Sequence, residues 1–154
     1  MNNPTSQVQK QDNLFIHPWD NFQNLGNNQR TVVEKGDGIY IYDSQGNRSI
    51  DGPSGMWCVN IGHGRKEMAQ AIYDQVMQLP LTAPWSMTTS PAAQFSEALA
   101  SEAPGDLNHV FLTTCGSTAV DSALRFVQFY NNYRGKPEKK KIISRLKGYH
   151  GSTY

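Results

Sequence analysis

Residues Thr114-Cys115-Gly116-Ser117-Thr118-Ala119 gather small and hydroxyl side chains in one short run. An apolar run, His109-Val110-Phe111-Leu112-Thr113, leads into it, and an amphipathic stretch from Val120 to Tyr133 leads out. That order sets the run at the mouth of a helix. Free backbone N–H groups, little bulk and the positive end of the dipole suit an anion there. The chemistry implied is a grip on a phosphate group. The N–H groups of Gly116, Ser117 and Thr118 would face the anion, and the hydroxyls of Ser117 and Thr118 would add donors. Gly116 would permit close approach. The same residues equally suit an ordinary strand-to-helix cap that satisfies the helix's own N–H groups. The run has neither the glycine spacing and lysine of a nucleotide loop nor a dinucleotide fingerprint.

A second candidate, Gly148-Tyr149-His150-Gly151, follows another apolar run. An aromatic held between glycines can stack on a flat heterocycle, or it can close a loop as a buried ring. Together the two features suggest a phosphorylated cofactor held at the ends of strands. Trp57 stands in a Gly-rich loop, and Trp85 with Met87 stands in a second aromatic loop between prolines. Each tryptophan either lines a substrate pocket or anchors its loop. Cys58 reads as a small buried residue, because no His or acid is placed by sequence to activate it. Cys115 sits where a helix dipole favours the thiolate, one route to a reactive cysteine. Asp121, one turn into the helix, is expected to face solvent or to cap. His17, His63, His109 and His150 have no zinc-binding spacing, so no metal site is expected.

The elements that must position these residues are legible from periodicity and turn signals. Residues 1–13 are polar, rich in Asn and Gln, and read as a flexible tail. Residues 14–22 carry clustered aromatics and read as a docking helix or an irregular surface segment. Residues 31–52 read as an antiparallel meander, with strands at 31–33, 39–42 and 48–51 and turns at 36–38 and 43–47. Residues 52–64, with four glycines and a proline, form a long shaped loop. Met68, Ile72, Val76 and Leu79 define one face of a helix over 66–79 that Pro80 ends. A helix over 91–103 has Ser90 as its cap and Pro91 at its first position. Val110-Phe111-Leu112 and Ile142-Ile143-Ser144 read as strands, the first of them buried, on either side of a helix ending near Tyr133. Helix, strand, helix, strand in that order is the start of an α/β fold with a parallel sheet.

Composition narrows the partners. The 154 residues carry a formal net charge of +1, too balanced for nucleic acid or acidic membrane as the main partner. Two cysteines form no disulfide framework, and no stretch is apolar enough to span a bilayer. With no signal peptide or basic targeting arm visible, the expected setting is the cytoplasm.

In order and separation the landmarks resemble the N-terminal part of a class III aminotransferase dependent on pyridoxal phosphate, of the omega-transaminase type. They are Gly38-Ile39-Tyr40 with Asp43 and Gly46, the stretch 51–65 with Gly55, Trp57 and Gly62, and the turn 113–121. Gly135-Lys136-Pro137 with Lys141-Ile142 and Gly148-Tyr149-His150-Gly151 complete the set. The resemblance implies the N-terminal portion of the type I pyridoxal-phosphate-dependent transferase fold. Residues 14–64 would form an N-terminal segment, and 65–154 the start of the large cofactor-binding domain. It implies pyridoxal 5'-phosphate as cofactor, held by Gly116, Ser117 and Thr118, with Tyr149 stacked on its ring and His150 beside it. Trp57 would line the substrate pocket, and Trp85 would lie near the substrate entrance of a homodimer. The substrates would be a small amine or amino acid and a keto acid such as pyruvate.

Two departures stand out. The family usually reads Thr-Asn-Ser-Gly-Ser-Glu-Ala-Asn-Asp at the turn, whereas this chain has Cys115 for a hydroxyl and Thr118 for the acid. The family's Schiff-base lysine aligns with no residue here, and Lys147 is not that lysine. The chain alone is therefore expected to be inactive and to expose apolar faces. The alternative reading is a truncated product that acts as a binding or dimerisation partner.

Overall fold

The structure, a computed structural model, describes residues 4–153. The chain divides into two units between Leu81 and Thr82.

In the first unit, helix α1 spans Pro4–Asp12 and a 3-10 turn spans Phe22–Asn24. Strands β1 (Val33–Asp37), β2 (Tyr40–Asp43) and β3 (Arg48–Ile50) form an antiparallel meander in that order. Helix α2 spans Lys66–Gln78, where the spacing of its apolar face placed it. Residues 4–12 of the segment expected to be a flexible tail are thus helical, and residues 1–3 lie outside the described residues. The helix is fastened by polar bonds that no apolar pattern announces. Thr5 Oγ1 donates to Ser44 Oγ at 3.0 Å, and Asp12 meets His17 at 2.7 Å and Arg30 at 3.2 Å. Arg30 also meets both carboxylate oxygens of Asp20, at 2.5 and 2.6 Å.

The first strand begins two residues later than its β-branched run suggested. The tight turn decides the register: Asp37 pairs with Tyr40, leaving Gly38 at φ +56° as the first residue of a two-residue loop. Cross-strand cation–ring contacts then support the sheet, with Arg48 over Tyr40 at 4.5 Å and Lys35 over Tyr42 at 5.3 Å. Asp43 holds the second turn, its Oδ1 accepting from the N–H groups of Gln45 at 2.9 Å and Asn47 at 2.8 Å.

In the second unit, α3 spans Ser90–Glu102 and α4 spans Gly116–Tyr133. The cap of α3 is Thr89, not Ser90. Its hydroxyl accepts from the Ala92 N–H at 3.4 Å, which moves Ser90 inside the helix and Pro91 to its second position. Segments 110–112 and 142–144, read as strands, form no ladder. A strand needs a neighbour for its N–H and C=O groups, and none of the described residues provides one. Phe111 and Ile143 are instead exposed, at 64% and 96%. Phe111 makes an edge-to-face contact with Phe126 of α4, ring centroids 5.1 Å apart.

Exposure is the dominant fact of this fold. Among the described residues no apolar side chain is buried, and the single buried residue is Asn131, 5% exposed. The accessible surface is 13828 Å². A compact monomer of 17.2 kDa exposes roughly 7,800 Å². The apolar faces of α2 and α4 therefore stand open, as does Cys58, whose expected burial is not found. The short elements around Cys58 leave nothing to cover it.

Candidate functional site

The N-terminus of α4 is built by a reciprocal cap. Thr118 Oγ1 accepts from the Cys115 N–H at 3.1 Å, and the Cys115 sulfur faces the Thr118 N–H. The Thr118 hydroxyl in turn donates toward the Cys115 carbonyl at 2.9 Å and lies 3.2 Å from the Thr114 hydroxyl. Thr118 is thus engaged in holding the turn. Gly116, first in the helix, has no intrahelical acceptor for its N–H.

The second candidate loop returns to this turn. Gly151 has φ +116°, and a Cβ there would lie 2.8 Å from Ser117 Cα and 2.9 Å from Ser117 Oγ. Only a residue without a side chain permits that approach. The Ser152 N–H donates to Ser117 Oγ at 3.3 Å, and the Thr153 hydroxyl donates to Asp121 Oδ2. Asp121, expected to face solvent or to cap, thus anchors the returning loop. The fold brings Ser117 together with the Gly148–Gly151 loop. Tyr149, 71% exposed, and His150, also exposed, project from that loop. Trp85 lies in the segment before α3, 86% exposed. Neither Gly151 nor Asp121 was singled out as a site residue by sequence. The signal available was the second glycine of Gly148-Tyr149-His150-Gly151, which a ring-stacking role alone does not require.

In the first unit the shaped loop has an ordered geometry. Ser54, Gly55, Met56 and Trp57 take φ of +47°, +57°, +60° and +67°, one left-handed turn. Such a conformation costs about 1–2 kcal/mol for each residue other than glycine. Strain of this kind gathers where a side chain must be aimed. Trp57 stands at its end, 74% exposed. The turn is closed by the Trp57 N–H to Pro53 O at 2.7 Å and the Cys58 N–H to Ser54 O at 3.1 Å. At the loop's ends, Asp51 Oδ2 and His63 Nε2 are 2.9 Å apart. Sequence reasoning passed over this pair, because an Asp and a His twelve residues apart match no catalytic or metal spacing. The His63 hydrogen bond is the chief reason that the Asp51 carboxyl is held below its usual range, with N–H groups of Gly55 and Ser54 adding to it. This favours the fold above the ordinary carboxylate pKa and is lost as pH falls through the lowered value.

The chemistry available to the second unit is anion binding. Among the described residues no group of three or more His, Cys, Asp or Glu is placed to hold a metal ion. No described helix is long and apolar enough to cross a membrane. The Cys115 thiol is held below its usual range, first by the Thr118 N–H, then by the Thr118 hydroxyl, with Ser117 adding to both. Alkylation of Cys115 by iodoacetamide is therefore expected to reach half its maximal rate below the pH of a free thiol, about 8.5. T118V should move that midpoint upward. A midpoint at or above the free-thiol value contradicts the arrangement.

Residues 22–154 match the family model for class III aminotransferases. The chain is 41% identical over 139 residues to the putrescine–pyruvate aminotransferase of Pseudomonas aeruginosa, covering 90% of this chain and 30% of that protein. The solved structure of a transaminase from the marine bacterium Virgibacillus superposes with a TM-score of 0.90 at 39% identity, covering 96% of this chain and 34% of that one. A thermostable omega transaminase from Pseudomonas jessenii superposes with a TM-score of 0.89 at 34% identity, covering 95% of this chain and 33% of that one. A thermostable omega transaminase variant that replaces a tryptophan by glycine, engineered for asymmetric synthesis of enantiopure bulky amines, is among the other structures that superpose, with a TM-score of 0.89 at 34% identity. The chain thus spans about a third of the length of these relatives. The fold is accordingly the N-terminal portion of a pyridoxal-phosphate-dependent transaminase, and the chain belongs to the class III aminotransferases.

Proposed function

We propose that this chain forms the cofactor- and substrate-binding front of an aminotransferase that moves an amino group from an amine or amino acid to a keto acid such as pyruvate. One observation carries the reading: Gly151 brings the Tyr149-His150 loop against Ser117 at the N-terminus of α4. The residues present fit a phosphorylated, flat cofactor. The first helical N–H at Gly116 and the Ser117 hydroxyl provide donors, and Gly151, where a Cβ would stand 2.8 Å from Ser117 Cα, lets the Tyr149-His150 loop lie close against them. Pyridoxal 5'-phosphate, when bound there, supplies the electron sink for removal of a proton from the amine.

In this reading Gly116 and Ser117 meet the phosphate, and Thr118 keeps the turn in shape while its place at the helix mouth favours the anion. Tyr149 offers its ring to the heterocycle, and His150 sets the pose of that loop. Trp57 and Trp85 belong to the wall that admits the amine. Residues 14–64 serve as the N-terminal segment, and 65–154 as the start of the large domain of a cytoplasmic homodimer. The open faces of α2 and α4 are covered there by further protein. The resemblance assigns the lysine that bonds the cofactor to none of residues 1–154, so these residues alone turn over no amine.

Putrescine and pyruvate, the pair named for the Pseudomonas aeruginosa relative, are the first substrates to test. With pyridoxal phosphate added, the protein isolated from its source is expected to form alanine, and residues 1–154 expressed alone are expected to form none. Alanine from the 154 residues alone, or none from the native protein with any amine donor, contradicts the reading. The site itself is tested by G151A, which adds a side chain at φ +116° against Ser117. Strain of about 1–3 kcal/mol is expected, lowering pyridoxal phosphate retention on dialysis roughly tenfold or more. Unchanged retention removes the Ser117–Gly151 contact from the site.

A further inference from the structure

The Trp57 indole is exposed, so its direction rests on the backbone that carries it. That backbone is a left-handed turn with three residues other than glycine at positive φ, which relaxes unless its ends are held. The ends meet at Asp51. Its backbone carbonyl accepts from the Ser54 N–H at 3.2 Å, and its Oδ1 accepts from the Gly55 N–H at 3.5 Å, both within or entering the turn. Its Oδ2 pairs with His63 Nε2 at 2.9 Å on the far side of the loop. His63 is itself fixed to the meander on two sides. Its N–H donates to Gly38 O at 2.7 Å, and its carbonyl accepts from the Gly38 N–H at 3.1 Å. Its ring lies so close to Gly36 that a Cβ there would stand 2.5 Å from the ring carbon Cγ. The Asp51 N–H donates to Ile39 O at 2.9 Å, fastening the near end to the same hairpin.

We propose that Asp51 and His63 are positioning residues that clasp the two ends of the 52–62 loop to the meander, keep the left-handed turn loaded, and so fix the direction in which Trp57 meets an amine. The clasp itself needs no cofactor. Its consequence for amine selection rests on the aminotransferase reading above.

The test separates the two. In the protein at its native length, with W19F, W85F and every tryptophan outside residues 1–154 replaced by Phe so that Trp57 is the sole indole, time-resolved anisotropy reports how restrained it is. D51A is expected to lose the restrained component, and D51N, which keeps an oxygen for Gly55 and a polar atom for His63, to retain it. If D51A does not fold, H63Q is expected to keep the restraint and H63A to lose it. Equal restraint in D51A and the parent, or in H63A and H63Q, overturns the clasp whatever the activity. Steady-state kinetics on the same variants, with the replaced tryptophans restored, read the consequence. D51A is expected to relax the preference for a small over a bulky amine about tenfold in kcat/KM. An unchanged preference with Trp57 unrestrained overturns the role in amine selection while leaving the clasp standing. Absence of turnover in the parent overturns the aminotransferase reading alone, because the anisotropy does not depend on it.

Discussion

Water against the apolar faces of the helices is the condition under which the rest of this chain must be understood. Phe126, Val127, Phe129 and Tyr130 on α4, and Ile72, Val76 and Met77 on α2, are each more than half exposed. Burial of apolar surface is the main favourable term in folding, and here it is almost unspent. What holds the units is a set of small, separate contacts: the polar fastening of α1, cation–ring contacts across the meander, and caps at helix ends. Such interactions contribute about 0.3–2 kcal/mol each and do not replace a core. The class III relatives, of which this chain matches about a third, are the natural context for the open faces.

Within that setting the candidate sites are made of short-range geometry. The α4 turn is shaped by a cap spanning four residues, and the loop that returns to it is admitted by the missing side chain of Gly151. The clasp at Asp51 and His63 joins residues already brought near by a three-stranded meander. Both arrangements use glycine where another chain segment comes close, Gly151 against Ser117 and Gly36 against the His63 ring. Both also aim an aromatic side chain outward, Tyr149 in one unit and Trp57 in the other. Each arrangement is thus shaped by its own hydrogen bonds and close approaches, without a buried apolar core around it.

The sequence was most legible where one period or one turn decides the outcome. The helix over 66–78 followed from its apolar spacing, and the meander from its glycine turns. The helix ending at Tyr133 followed from its amphipathic stretch, though it opens at Gly116, inside the 113–117 segment that reads as the loop feeding it. It was least legible where tertiary context decides. Val110-Phe111-Leu112 has the composition of a strand, yet pairing depends on a neighbour that the described residues do not include. Thr89 outcompetes Ser90 as a cap because its backbone is extended while Ser90 is already helical. The α1 helix is secured by contacts to Ser44 and Arg30, far along the chain, which no local pattern encodes. At the site, residue types revealed the anion-binding turn, but not that Thr118 spends its hydroxyl on Cys115. The Asp51–His63 pair became visible only when the hairpin brought its members together.

The molar mass of the protein isolated from its source, measured by light scattering in solution, tests the account most directly. An assembly several times heavier than 17.2 kDa, with little binding of an apolar dye, is the expected result, because the open faces must be covered. A monodisperse 17.2 kDa species that binds no such dye would contradict it.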